Sequence, residues 1–222
     1  MKDIAIITTS DGSHSLLNTR LNETYHSHHG AVQESLHVFI NHGLKYLHAR
    51  KLPVIRVLEI GFGTGLNALL TLNEALSGPG RIEYTTIEAF PLAEEIWRKL
   101  NYPSSSEQAA WFESLHGAVW NEEVNVHSNF TLQKLSTTLE LVAIAEAFYD
   151  LIYFDAFAPN KQPEMWHIEL LGKVARGMTS GAVFVTYCAK GQLKRDLKSL
   201  NLDVQTLPGP PGKKEMVRAL KK

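Results

Sequence analysis

Val54-Ile55-Arg56-Val57-Leu58-Glu59-Ile60 runs into Gly61-Phe62-Gly63-Thr64-Gly65, and a helical pattern follows from Leu66 to Leu76. Strand, glycine turn and helix form the first unit of a nucleotide-binding α/β sheet. A dinucleotide fingerprint would need its third glycine at position 66, which is Leu66. The glycines alternate at 61, 63 and 65 instead, with Glu59 two residues ahead. This spacing suits a loop folded under the amino-acid end of S-adenosylmethionine better than one cradling a pyrophosphate. A backbone without Cβ approaches a ligand closely and takes positive φ, and a helix N-terminus offers free N–H groups to a carboxylate. The plainer alternative is a tight strand-to-helix connection.

Working outward, 222 residues fit one domain, and 44% hydrophobic with 20% charged residues is ordinary for a globular chain. No apolar run approaches the length of a membrane span, and no basic-then-apolar leader opens the chain. Cys188 is the single cysteine, which fits a reducing cytoplasm and a packed strand position. The expected location is therefore cytoplasmic, with no membrane. Net charge is −1 but unevenly spread: residues 161–222 carry 12 Lys and Arg against 5 Asp and Glu, the rest 10 against 18. A basic C-terminal part suits a polyanion laid over one edge of a site. Solvated helix faces are the bland alternative.

Residues 4–8 read as a strand and Asp11-Gly12 as a turn, so 1–20 is expected to be a hairpin. Val32, Leu36, Phe39, Ile40, Leu44 and Leu47 make a helical stripe over 31–48. Residues 1–50 are thus a candidate cap, and 51–222 a Rossmann-like domain. Strands are expected at 54–60, 82–88, 124–128, 150–154, 182–188, 203–207 and 215–220. Helices are expected at 65–76, 92–100, 136–147, 164–177 and 191–200, with a loop-rich stretch around Pro103 and Ser104-Ser105-Ser106. The alternation implies an α/β fold with a mostly parallel sheet covered on both faces. The short Pro208-Gly209-Pro210-Pro211-Gly212 connection leaves no room for a crossover helix, so the last strand is antiparallel.

Ligands of such sheets sit beyond the C-terminal strand ends. The first strand ends in Glu59 and the glycine loop. The second ends in Glu88, placed to accept hydrogen bonds from two ribose hydroxyls; capping is its alternative. The segment Asp150-Leu151-Ile152-Tyr153-Phe154 ends in Asp155, followed by Ala156-Phe157-Ala158-Pro159-Asn160-Lys161. A carboxylate there orients and deprotonates an amine nucleophile, although it also favours the ammonium form. Phe157 and Pro159 suit the flanks of a planar base. A loop cap is the alternative for Asp155. His26-Ser27-His28-His29 lacks regular metal spacing, so no metal is expected. Trp97, Trp111, Trp120 and Trp166 read as packing residues.

Several motifs in order resemble one family. They are Asp11-Gly12, Glu23-Thr24-Tyr25, Glu34-Ser35, Val38-Phe39, Glu59 to Asn67, Glu88-Ala89-Phe90-Pro91-Leu92, Asp155 to Lys161 with Pro163-Glu164-Met165-Trp166, and Lys213-Lys214-Glu215-Met216. Over nearly the whole chain this resembles the methyltransferase half of the MnmC family, bifunctional enzymes of tRNA wobble-uridine modification. The resemblance implies a class I methyltransferase fold and methyl transfer from S-adenosylmethionine to the exocyclic amine of 5-aminomethyl-(2-thio)uridine. Carried over by position, Glu59, Gly61, Phe62, Gly63, Gly65, Asn67, Glu88 and Ala89 hold the cofactor, and Asp155 stands between cofactor and amine. Phe157, Pro159, Lys161, Lys213 and Lys214 face the tRNA anticodon loop. The family's Gly-Asp pair for adenine is absent; His127-Ser128-Asn129-Phe130-Thr131 stands there, with Asn129 the best placement. The length leaves no room for the flavin-dependent oxidase half, so upstream enzymes are expected to supply the aminomethyl substrate. The alternatives are a small-molecule N- or O-methyltransferase and a catalytically silent RNA- or partner-binding module.

Overall fold

The glycine turn lies at the middle of a large sheet. The computed structural model describes residues 3–78 and 80–222. A small antiparallel sheet comes first, formed by β1 (Ile4–Thr8), β2 (His14–Asn18) and β3 (Glu23–Thr24). Asp11 builds its turn: Oδ1 accepts from the Ser13 amide at 3.0 Å, and Oδ2 accepts from the Gln33 amide at 3.1 Å. One carboxylate therefore ties the hairpin to the start of the next helix.

That helix occupies 31–48 as α1 (Ala31–Ser35), a π-helical stretch (Leu36–Leu44) and α2 (Lys45–His48). Val38, Phe39, Ile40, Leu44 and Leu47 are buried, as the stripe required. A Cβ on Gly43 would lie 3.1 Å from Val185 and 3.2 Å from Tyr153, so the missing side chain lets this helix lie close against the main sheet.

The main fold continues with β4 (Val54–Ile60), α3 (Leu66–Ser77), β5 (Arg81–Ile87), α4 (Glu94–Trp97), α5 (Ser106–Gly117), β6 (Glu123–His127) and β7 (Phe130–Leu135). Then come β8 (Tyr149–Phe154), a 3-10 turn (Pro163–Trp166), α6 (Ile168–Gly177), β9 (Met178–Thr186), α7 (Gly191–Ser199), β10 (Leu202–Pro208) and β11 (Glu215–Lys221). The eight strands are ordered β10-β11-β9-β8-β4-β5-β7-β6. β9, β8, β4, β5 and β7 are mutually parallel. β11 is antiparallel to both its neighbours, and β6 is antiparallel to β7. The expected α/β sheet is present, with an extra antiparallel edge.

Alternate side chains of the central strands feed two cores. Val57, Tyr84, Leu132 and Leu151 pack with Phe39, Leu69 and Phe112 on one face. Leu58, Ile152, Phe154 and Phe184 pack with Leu171, Val174 and Leu193 on the other. Each large apolar side chain removed from water contributes about 1.5–3 kcal/mol, and this burial holds the strand ends in register.

Three local expectations are corrected. Residues 136–147 form turns, not a helix. Lys173 Nζ takes the Leu139 and Glu140 carbonyls at 2.8 Å each, oxygens that a helix would use itself, and Ala147 has φ 46°. The strand β7 at Phe130–Leu135 precedes them instead. The stretch after Pro103 contains helix α5 rather than only loop, with Ser105 accepting from the Gln108 amide at 3.1 Å and Gln108 reaching back to Ser104. Helix 92–100 shrinks to the single turn of α4.

Candidate active site

A cavity of about 920 Å³ opens over the C-terminal ends of β4, β5 and β8 and is roofed by the N-terminal small sheet and the segment after it. Its floor follows from backbone geometry. Gly61 has φ 93°, and a Cβ there would stand 3.1 Å from the Asp155 carbonyl. Gly65 caps α3 at φ 73°, and its Cβ would meet His116 Nε2 at 2.7 Å. Only glycine lets the loop turn this tightly between β8 and α5. The loop is gripped from both sides: His116 Nε2 lies 3.1 Å from the Thr64 carbonyl, and His26 Nε2 lies 2.8 Å from the Thr64 hydroxyl. The His116 ring stacks on Trp97 at 4.5 Å between centroids. Burial holds the His26 imidazole down to about 4 and His116 down to about 3, so both stay neutral near pH 7.

Gly61, Phe62, Gly63, Asn67, Glu88, Ala89 and Asp155 come together on the cavity wall, and Phe157, Lys161 and Lys213 join them. Glu88 Oε2 accepts from the Gly63 amide at 2.9 Å and Oε1 from the Phe90 amide at 2.8 Å. A carboxylate oxygen has two lone pairs, so each retains one for a ribose hydroxyl. Burial raises the Glu88 carboxyl, and these amide bonds oppose the rise. Asp155 Oδ2 accepts from Asn67 Nδ2 at 2.9 Å, while Asn67 Oδ1 is buried and has no protein partner. That oxygen beside a glycine loop fits the ammonium of a bound amino acid. Burial, and then the charge of Glu34, push Asp155 up to about 7, against the Asn67 bond and Lys213.

Other expected residues stand elsewhere. Glu59 is fully buried behind the loop and away from the cavity wall. It accepts from the Thr86 hydroxyl at 2.8 Å, and burial lifts its carboxyl to about 8. Gly65 shapes the loop from outside the wall, and Pro159 and Lys214 also lie off it. Asn129 is a correction: it sits in the turn before β7, at the strand end opposite the cavity. The chain following β7, at Thr138, Leu139 and Glu140, lines the cavity there instead. Lys161 Nζ bonds the Leu21 and Asn22 carbonyls at 3.0 Å each, tying the roof to the Asp155 loop. Lys213 Nζ is bound to Glu34, and its side chain is 32% exposed, so it is not free at the surface.

Sequence reading assigned no role to Tyr25, Glu34 or Tyr187, which line the cavity together with His26. Tyr25 meets Phe157 edge-on at 5.0 Å between centroids. Glu23-Thr24-Tyr25 and Glu34-Ser35 did stand out as motifs, but nothing local shows that the roof folds onto the strand ends. Among the described residues, no three His, Cys, Asp or Glu side chains gather as metal ligands, and no helix is long and apolar enough to cross a membrane.

This sheet order, with a glycine loop after the first core strand and an acid after the next, defines a class I S-adenosylmethionine-dependent methyltransferase. A family model described as S-adenosyl-L-methionine-dependent methyltransferase matches residues 104–222. The chain belongs to that family. It is similar to the tRNA 5-methylaminomethyl-2-thiouridine biosynthesis bifunctional protein MnmC of Chromobacterium violaceum, 31% identical over 87% of this chain and 31% of that protein. The protein of that name from Cupriavidus metallidurans is 31% identical over 96% of this chain and 33% of its own length. The chain thus spans about a third of the length of these curated relatives. The crystal structure of MnmC2 from Aquifex aeolicus matches with a TM-score of 0.83 at 27% identity, covering 99% of this chain and 70% of that one. The expected fold, cofactor and enzyme class are thereby met.

Proposed function

We propose that the chain methylates the exocyclic amine of 5-aminomethyl-(2-thio)uridine at the tRNA wobble position, giving the 5-methylaminomethyl form. The observation that carries this reading is Asp155, a carboxylate on the cavity floor joined to the cofactor helix through Asn67 and faced by Tyr25, Phe157 and Tyr187. The names of the relatives agree with it.

S-adenosylmethionine supplies an electrophilic methyl on sulfur. Glu88 holds its ribose, and Gly61, Phe62, Gly63, Ala89 and Asn67 enclose it. Asp155 accepts a hydrogen bond from the amine, aims its lone pair and takes its proton. Positioning of this kind supplies a large share of such a rate. The aromatic side chains stack on an unstacked uridine from the anticodon loop. Residues 1–50 act as the cap over the domain formed by 51–222. A reaction that generates the primary amine on the uridine must come first.

Mass spectrometry of wobble nucleosides from aminomethyl-containing tRNA, incubated with the protein and methyl-labelled S-adenosylmethionine, tests this. One labelled methyl on the amine is expected. Label that appears only on small amines added in competition points to a small-molecule methyltransferase, and no label on either contradicts the proposal.

A further inference from the structure

Glu34 and Lys213 reach the cavity from opposite layers, α1 and the β10–β11 loop. Glu34 is only 5% exposed. Its Oε2 accepts from the Ser27 amide at 2.7 Å, and its Oε1 accepts from Lys213 Nζ. The Lys213 ammonium also lies 3.7 Å from the centre of the Tyr187 ring. Tyr187 is itself fixed, because its hydroxyl donates to the Ala156 carbonyl at 2.8 Å, one residue past Asp155. Lys213 is therefore held by an anion and a ring face, unlike a lysine that awaits a phosphate at the surface.

We propose that Glu34 and Lys213 are positioning residues for the methyl transfer, an ion pair in the same cavity that tunes the ionisation of Asp155. The proposal rests on the reading of Asp155 as the carboxylate that meets the amine. In the reaction the amine lone pair forms the new N–C bond, and the C–S bond breaks with its electron pair remaining on sulfur. The amine lone pair is free only once the ammonium form has given one proton to the Asp155 carboxylate, and the methylated product leaves as the secondary ammonium.

Two acids sharing a poorly solvated cavity oppose each other's ionisation, and a cation relieves this. Glu34 acts on Asp155 in the first sense and Lys213 in the second. While the two are paired, Lys213 offsets part of the effect of Glu34, which is the larger of the two. With Lys213 neutralised, Glu34 becomes an uncompensated anion beside Asp155. With Glu34 neutralised, Lys213 becomes an uncompensated cation, which favours the carboxylate and disfavours an ammonium next to it. Glu59 from β4, Tyr84 from β5 and Tyr187 after β9 also act electrostatically with Asp155. They are the same in every variant below. Glu23 and Lys161, 3.9 Å apart, make a second pair on the same wall.

The test compares Lys213→Met, Glu34→Gln and the double variant in two ways. Carbon-13 NMR of protein labelled at the aspartate side-chain carboxyl is tractable because the sequence holds six aspartates, and Asp155→Asn assigns the signal. The Asp155 midpoint should rise by about one pH unit in Lys213→Met, fall in Glu34→Gln and lie between those two values in the double variant. Lys213→Arg should leave it in place. The acid limb of single-turnover methylation should move in the same pattern. If Lys213→Met fails to fold, Lys213→Arg and Glu34→Gln carry the comparison. Midpoints that stay fixed, or that move the same way in both single variants, overturn the proposal. Midpoints that move as expected in a protein that does not methylate aminomethyl-tRNA uphold the charge pair and refute the proposed substrate.

Discussion

Asn67 Nδ2 donates to Asp155 Oδ2 at 2.9 Å, so the first turn of α3, directly after the glycine loop, also holds the carboxylate at the end of β8. In the proposed mechanism this one side chain couples the cofactor loop to the residue that meets the amine. Asn67→Ala removes a bond to the ionised form and should raise the Asp155 midpoint from about 7. A single-turnover pH profile checks this: the acid limb moves to higher pH, and a limb that stays in place separates Asn67 from Asp155.

Glu88 should carry much of the cofactor affinity. Glu88→Ala loses charge-assisted bonds worth about 1.5–3 kcal/mol each and also frees the Gly63 amide. Loss of one such bond weakens binding roughly ten- to a hundredfold. Calorimetry with S-adenosylmethionine on the folded variant measures it, and unchanged affinity removes Glu88 from the site.

Glu59 makes a prediction about stability. Its folded carboxyl is raised to about 8 by burial, whereas an unfolded glutamate titrates in the ordinary carboxylate range. The folded state then binds a proton that the unfolded state has lost, so the contribution is full below the unfolded value and is lost as pH rises through about 8. Because His26, His116 and Asp155 also titrate differently on unfolding, the comparison is with Glu59→Gln, relative to which wild type should lose stability from about pH 5 to about pH 8 in denaturant titrations. An equal slope in both proteins contradicts a protonated Glu59.

The sequence carried the strand-loop-helix unit around Gly61 to Gly65, because hydrophobic period and glycine punctuation are local signals. It also carried Glu88 and Asp155, since chemistry collects at the strand ends of such sheets. It did not carry the Asn129 placement, which depended on locating β7. Phe130 and Leu132 are strand core residues, but the strand expected in this region, 124–128, ends before them. The Ser105–Gln108 capping pattern was present, but the serine run beside Pro103 reads as loop and hides α5. The roof was the least legible part: Tyr25, His26 and Glu34 reach the cavity through contacts spanning tens to more than a hundred residues, such as Glu34 with Lys213. A lysine pair in a basic segment reads as phosphate-binding until its buried partner is seen.

Lys214 is exposed while Lys213 is bound to Glu34, so the two should separate in tRNA binding. Lys214→Ala should weaken binding and lower the salt slope by about 0.7, the single-strand share of one phosphate that the side chain no longer neutralises. Lys213→Met should leave the slope close to wild type. Binding isotherms across a salt series decide this, and equal slopes for Lys214→Ala and wild type leave Lys214 as solvated surface.

The most direct test of the chemistry is single-turnover methylation of aminomethyl-containing tRNA by wild type and Asp155→Asn, with cofactor binding measured separately. Asparagine keeps the shape and removes the charge and the basicity. S-adenosylmethionine should bind nearly as before, and the rate should fall by about 10²–10⁴-fold, as for a positioned acid–base group. A rate near that of wild type, with the cofactor bound, would contradict Asp155 as the residue that orients and deprotonates the amine.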